Sequence, residues 1–352
     1  RVAKNIYERL TIKDKYEVDI FSLSEKKCSG LHRIRENLRI YCFSTISNLP
    51  PLKMVRAIKN LCKDYDVIHF YNIHNPLCLL SLTLPFDAPQ IMSPYYHGRG
   101  HSTFSDFLWK VAYRSLASKI LGRQTGVIAN SNYQKNMLLR DFRLNKKIWL
   151  NYDGVDYEAI QKSEAYNREK LGLSEKDKIV LYVSRIEKYK NVHIAIRVLR
   201  HLPENFKLLI VGKGRGRYFN EIKRLAENFA NRRVLFLGYQ PDEVLWSLYK
   251  ASDLFLNLSE IESFGMTCLE AISARLPVIV NNDGAGLRET AELFPEYIHV
   301  FDIKTEDLKK LADLMVYCAD LKPLQISERE LRRFSWDCIL SLIHISEPTR
   351  PY

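Results

Sequence analysis

The chain has 352 residues, 46% of them hydrophobic and 27% charged, which is enough for two domains of ordinary size with separate cores. No apolar run reaches the roughly 18 residues that a membrane-crossing helix requires, which excludes that class. The net charge of +12 lies wholly in one half: residues 1–153 carry 24 Lys and Arg against 12 Asp and Glu, and residues 154–352 carry 29 of each. Such asymmetry points to an anionic partner for the first half, whether a membrane surface, a phosphorylated acceptor or nucleic acid. The plainer alternative is a solvated basic face. The seven cysteines, Cys28, Cys42, Cys62, Cys78, Cys268, Cys318 and Cys338, form no C-x-x-C pair. They read as small buried hydrophobes in a reducing cytoplasm, and they argue against a zinc site.

The chain opens at Arg1 inside an amphipathic helix (VAKNIYERL) followed by a strand (YEVDIFSL). A helix with no strand before it predicts a missing first βα unit. A polar helix (MVRAIKNLCKDY) then leads to a short β-branched strand over Asp66–Tyr71, of the kind buried in parallel sheets. Gln90–Ser93 is a second strand. It runs into PYYHGRGHSTF, whose glycines, histidines and arginine stand at a strand's carboxyl end, where open α/β sheets place ligands. His97 is the candidate there, against the common case of a structural histidine.

The spacing next predicts a basic helix over Phe104–Leu121, suited either to packing on the sheet or to lying on an anionic membrane. Gly126–Asn130 reads as a strand, and Asn132–Arg140 as a helix capped by Ser131. Asp153-Gly154 is the expected hinge between domains.

Strand and helix alternate more clearly in the second half. Strands are expected at Lys178–Ser184, Lys207–Val211, Val234–Leu237, Asp253–Leu258 and Pro277–Val280, each followed by a loop and a helix. This predicts a doubly wound parallel sheet. The loops along its one edge carry Arg185 and Lys190, Gly214 within GKGRG, Gly238-Tyr239, and the segment SEIESFGMTCLE. In that segment Gly265 should open a helix, with Glu262 in the loop before it and Glu270 inside it. Free amides and the dipole at a helix start favour phosphate. Two carboxylates beside such a seat are placed to hold the hydroxyls of a phosphate-linked sugar and ribose. Taken alone, GKGRG fits neither dinucleotide-loop pattern and carries little.

These residues together resemble the retaining glycosyltransferases of family 4. The resemblance rests on SRIEKYKN, LIVGKG, FLGYQPDEVLWSLYKASDLFLNLSEIESFGMTCLEA, LPVIVNNDGAGLRE and FSW in the second half, and on DVIHFYN, PYYHGRG, IANSNYQKNML and DGVD in the first. It implies an α/β chain of GT-B fold, with two Rossmann-like doubly wound domains facing across a cleft. The first, 1–153, would bind the acceptor, and 154–325 would bind the nucleotide sugar. Residues 326–340 would begin a final helix returning to the first domain, and 341–352 read as a non-native tail that breaks it.

The resemblance also implies roles. Arg185 and Lys190 would bind the donor diphosphate, and Gly265, Met266 and Thr267 would offer backbone amides. Glu262 would hold the donor sugar and Glu270 the ribose, while His97 would stand near the reacting centre. Gly214, Gly238, Tyr239 and Phe264 would complete the donor site. No metal and no cofactor are expected beyond a UDP-, GDP- or ADP-linked co-substrate. The acceptor would be lipid-linked, a glycan or another hydroxyl compound. The expected setting is the cytoplasm or the cytoplasmic membrane face, in cell-surface glycan, glycolipid or polysaccharide synthesis.

A nucleotide-sugar epimerase and a basic nucleic-acid-binding protein are the alternatives. The paired cations and glutamates count against the first. The second lacks any recognised module, so no nucleic acid is expected. Two positions depart from the family pattern: Arg275 stands where glycine is usual, and Ala285-Gly286 replaces a glycine pair.

Overall fold

A computed structural model describes residues 2–12, 16–24, 30–44, 50–98, 113–229, 232–305 and 307–345. The chain divides between Asp153 and Gly154 into two units, with the C-terminal segment from Ile339 grouped with the first.

In the first unit, β1 (Val18–Ser24), β2 (Gly30–Arg35) and β3 (Leu38–Ser44) form a sheet of order β1-β3-β2, with β2 antiparallel to β3. β4 (Ile68–Tyr71), β5 (Gln90–Ser93), β6 (Gly126–Ala129) and β7 (Ile148–Leu150) form a four-stranded parallel sheet in that order. These short apolar strands and the helices Arg114–Arg123 and Asn132–Phe142 close over Ile73, Met92, Ile120, Val127 and Leu138, all fully buried. Ser131 caps the second of these helices, its hydroxyl accepting from the Gln134 amide at 3.0 Å. The β2–β3 hairpin is an addition to the sequence reading. All six residues of β2 are exposed, so no buried face imprints a hydrophobic period on it.

The second unit is a six-stranded parallel sheet of order β10-β9-β8-β11-β12-β13. Its strands are β8 (Lys178–Val183), β9 (Phe206–Val211), β10 (Val234–Gly238), β11 (Leu254–Asn257), β12 (Val278–Asn281) and β13 (Ile298–Phe301). The near-continuous apolar runs follow from burial on both sheet faces. β13 and the helix Leu308–Ala319 were not assigned from the sequence, and both join the core. Strand order reverses between β8 and β11. Open α/β sheets bind ligands at such a switch point, outside the carboxyl ends of the strands.

The final helix runs Trp336–Ile345, which corrects the expectation that residues from Ser341 onward break it. Its apolar sequence WDCILSLIHI sustains the turn, and the Ser335 hydroxyl accepts from the Cys338 amide at 3.2 Å. Residues 346–352 lie outside the described residues. So do 99–112, which hold half of the expected basic helix; the described helix there is Arg114–Arg123. Among the described residues, no helix is long and apolar enough to cross a membrane.

Arg275 explains its own departure from the family pattern. Its backbone is left-handed (φ 59°), a conformation free for glycine and costing about 1 kcal/mol for other residues. The side chain offsets that cost: Nη1 donates to the carbonyls of Leu324 (3.1 Å) and Ile326 (2.7 Å).

Candidate active site

The loops that leave β8 to β12 are tied to one another by backbone bonds. The Ile186 amide donates to the Lys213 carbonyl at 2.8 Å, joining the loops after β8 and β9 beside Gly214. The Gly212 amide donates to the Gly238 carbonyl at 2.7 Å, joining β9 to β10. The Glu260 amide donates to the Tyr189 carbonyl at 2.9 Å, across the switch point. The Gly286 amide donates to the Glu262 carbonyl at 2.9 Å, joining β11 to β12.

Glycine is required at the joint between the loops after β11 and β12. A Cβ on Gly286 would stand 2.3 Å from the Ser263 carbonyl oxygen and 2.7 Å from the Phe264 amide nitrogen. Neither backbone atom can rotate away. Gly286→Ala is therefore expected to destabilise the second unit by on the order of 3 kcal/mol, read as a melting temperature several degrees lower. An unchanged melting temperature would mean that the loops are not packed this closely. At the neighbouring Ala285, φ is 59°, which gives a physical reason for glycine at that position too.

Side chains complete the switch point. Lys190 Nζ lies 2.5 Å from Glu262 Oε1, with the lysine side chain 9% exposed and the glutamate 26%. The buried Tyr182 hydroxyl fixes the lysine's backbone: it donates to the Lys190 carbonyl and accepts from the Leu258 amide at 3.1 Å. Burial pushes that phenol far above its ordinary range, so it stays neutral. Asn191, itself left-handed (φ 54°), ties the same corner to the Leu258 carbonyl and Glu260. Arg185 is more open. It donates to the Tyr189 hydroxyl at 2.7 Å and pairs with Glu187 at 2.7 Å. The Tyr189 ring stands between the two cations, 4.9 Å from Lys190 Nζ.

The helix Met266–Ser273 starts at Gly265, whose φ of 104° turns the chain into the helix from the Glu262 loop. Cys268 donates back to the Gly265 carbonyl, so the Met266 and Thr267 amides are the leading donors of its first turn. Glu270 is 1% exposed and accepts from the Tyr249 hydroxyl at 3.1 Å. Tyr239 is 65% exposed with Lys213 Nζ 4.7 Å from its ring. Phe264 differs from its expected role: its ring is fully buried against Phe334, so it serves the core.

The switch point thus gathers Arg185, Lys190, Gly214, Gly238, Glu262 and Gly265 on loops bonded in series. His97 belongs to the other unit, where its ring stacks on His74 with centroids 5.7 Å apart. Sequence reasoning passed over Tyr182, Tyr189 and Asn191. Two of them lie in the very motif that supplied Arg185 and Lys190, but the uncharged positions gave no sign that they hold the charged ones.

Two family profiles cover this layout: "Glycosyltransferase Family 4" matches residues 1–159, and "Glycosyl transferases group 1" matches residues 163–319. The chain belongs to the family 4 glycosyltransferases. Among its relatives, an uncharacterised glycosyltransferase of Methanocaldococcus jannaschii is 25% identical over 270 residues, covering 72% of this chain and 68% of the relative. The alpha-monoglucosyldiacylglycerol synthase of Streptococcus pneumoniae is 26% identical over 242 residues, or 63% of this chain and 54% of that protein. The match thus spans only about half the length of the second relative. The crystal structure of Anabaena HepE with UDP-glucose is 20% identical, covering 87% of this chain and 85% of HepE with a TM-score of 0.70. At that identity the likeness shows the fold of this glycosyltransferase, which is GT-B.

Proposed function

We propose that this glycosyltransferase moves a sugar from a nucleoside diphosphate to a hydroxyl acceptor, with retention of anomeric configuration and without a metal ion. The observation that carries the reading is the Lys190–Glu262 pair, set between β8 and β11 where the strand order reverses. A cation and a carboxylate in contact suit a ligand whose charged diphosphate adjoins a hydroxyl-rich sugar.

In this reading Lys190 and Arg185 take the diphosphate, helped by the amides at Gly265, Met266 and Thr267. Glu262 accepts from sugar hydroxyls, and Glu270, steadied by Tyr249, accepts from the ribose. The bond between the anomeric carbon and the diphosphate oxygen breaks, and the acceptor oxygen bonds to the same face of that carbon. The acceptor's proton passes to the leaving phosphate oxygen. Charge growing on the diphosphate is met by the two cations, which would do the work of a metal. The family resemblance gives His97 its role at the reacting centre.

HepE was solved with UDP-glucose, which makes uridine nucleotides the first donors to try. The name of the pneumococcal relative supports a lipid acceptor, and the basic first half, with its net charge of +12, supports approach to an anionic membrane face.

The test is a thermal-shift screen against UDP-, GDP- and ADP-sugars, followed by nucleotide release with and without EDTA. One donor class should stabilise the protein and turn over equally in chelator. Activity lost in EDTA and restored by magnesium would remove the metal-free part. No stabilisation by any nucleotide sugar would remove the donor assignment.

A further inference from the structure

His97 sits in a short segment held in an unusual backbone. After β5 the chain runs Pro94, Tyr95, Tyr96, His97, Gly98. Tyr95 is left-handed (φ 48°) and Gly98 has φ 74°. Glycine adopts such angles freely, whereas a tyrosine there must be held by its surroundings. Two anchors are visible. The Tyr95 hydroxyl donates to Asp153 Oδ1 at 3.0 Å, and its ring stacks on Tyr71 with centroids 6.3 Å apart. On the other side, Tyr96 is buried and donates to Asp141 at 2.6 Å, and the Tyr133 hydroxyl donates to the His97 carbonyl at 3.3 Å.

Asp153 is the unusual member. It is 5% exposed and receives a second bond from Asn130 Nδ2 at 2.9 Å. Among the described residues no lysine or arginine pairs with it. The titratable groups around it are Tyr95 and Tyr71, then Tyr7, with His69 bonded to Tyr7 at 2.7 Å. A buried carboxylate served by two neutral donors is costly to keep, and here it is the last residue before the junction between the units.

We infer that Asp153 is a positioning residue for His97: by holding the Tyr95 hydroxyl it fixes the left-handed turn from which His97 is presented. Two donors converge on one acceptor, so the carboxylate sets both the end of β6, through Asn130, and the loop after β5, through Tyr95. Its effect on turnover rests on the reading of His97 as a residue of the reacting centre. Its effect on the geometry of His97 does not.

The experiment uses the full chain. The His97 imidazole resonance is assigned by its loss in His97→Gln and then followed in Asp153→Ala, Asp153→Asn and Tyr95→Phe. Alongside it, kcat and UDP affinity are measured. Expected are a shifted His97 resonance in Asp153→Ala and Tyr95→Phe, kcat at least fivefold lower in both, and UDP affinity within twofold of the parent. The effects of the two changes on the His97 resonance should not fully add, since both cut the Tyr95–Asp153 bond, although Asp153→Ala also removes the acceptor of Asn130. Asp153→Asn should restore much of both readouts, because an amide can accept from Asn130 and donate to the Tyr95 oxygen. Burial lifts the Asp153 carboxyl from 3.8 to about 6.

An unmoved His97 resonance in Tyr95→Phe would overturn the inference, and that milder variant decides the matter even if Asp153→Ala does not fold. A shifted resonance with unchanged kcat would uphold the positioning and remove His97 from the reacting centre.

Discussion

Lys190→Ala is expected to lower kcat/KM at least tenfold, and by about a hundredfold if it acts as a preorganised donor to developing charge, where removing one such group costs roughly 3 kcal/mol. The geometry adds a second expectation. Lys190 is already engaged by Glu262 at 2.5 Å, so a diphosphate must share or displace that carboxylate. Glu262→Gln removes the competing charge. It should tighten binding of UDP alone several-fold while lowering sugar transfer, because the sugar loses its acceptor. Opposite movements of nucleotide affinity and turnover, measured by calorimetry and initial rates, would be hard to produce by general damage. Near-normal turnover in Lys190→Ala, or weaker UDP binding in Glu262→Gln, would count against this account of the pair.

Asp153→Asn should stabilise the protein at pH 8 and lose that advantage in acid. The carboxyl's folded value of about 6 exceeds the ordinary 3.8, so its ionised form is disfavoured by folding. Stability contributed by this group is complete below 3.8 and is lost as pH rises through 6, to the extent of on the order of 3 kcal/mol. Asparagine mimics the neutral carboxyl and avoids the loss. His69 works the other way. Burial pushes its imidazole from 6.5 down to about 3, with its ring bonded to Tyr7 and to Ser93. Its neutral form is favoured by folding, so stability is present above 6.5 and falls as pH drops toward 3. Between about pH 4 and 6 the two slopes oppose each other in the parent. Asp153→Asn should uncover the histidine's slope, with melting temperature higher at pH 8 and converging on the parent near pH 4. A constant gap across that range would show that the carboxyl does not titrate there.

Much of this was legible in the sequence because the second half repeats one simple unit. β8 to β12 are apolar runs ended by polar loops, and each was placed within a residue or two. Strand β2 carries no hydrophobic period for a physical reason, since all its residues are exposed, whereas β3 buries Leu38 and Cys42. The final helix runs on to Ile345, past the point where the sequence departs from the family pattern. At the site, charge was the signal: Arg185, Lys190, Glu262 and Glu270 stand out in a string of letters. What could not be read was pairing. The two cations and two glutamates appear as separate sets in sequence, whereas Lys190 and Glu262 are in contact and Glu270 is held by Tyr249. The supports (Tyr182, Tyr189, Asn191, Asp153) are ordinary residues whose importance lies only in what they touch.

The loops bonded in series have a thermodynamic consequence. Flexible sites lose affinity to the ordering of their own segments, at roughly 0.5–1.5 kcal/mol for each side chain immobilised. Here five strand-end loops are already joined by amide–carbonyl bonds, and at two of the joints Gly212 and Gly286 have no room for a Cβ. Little of the donor's binding energy is then spent on arranging the cradle. On the proposed reading, preference among donors would then fall to exposed side chains such as Tyr239, 65% exposed, rather than to the sheet beneath them.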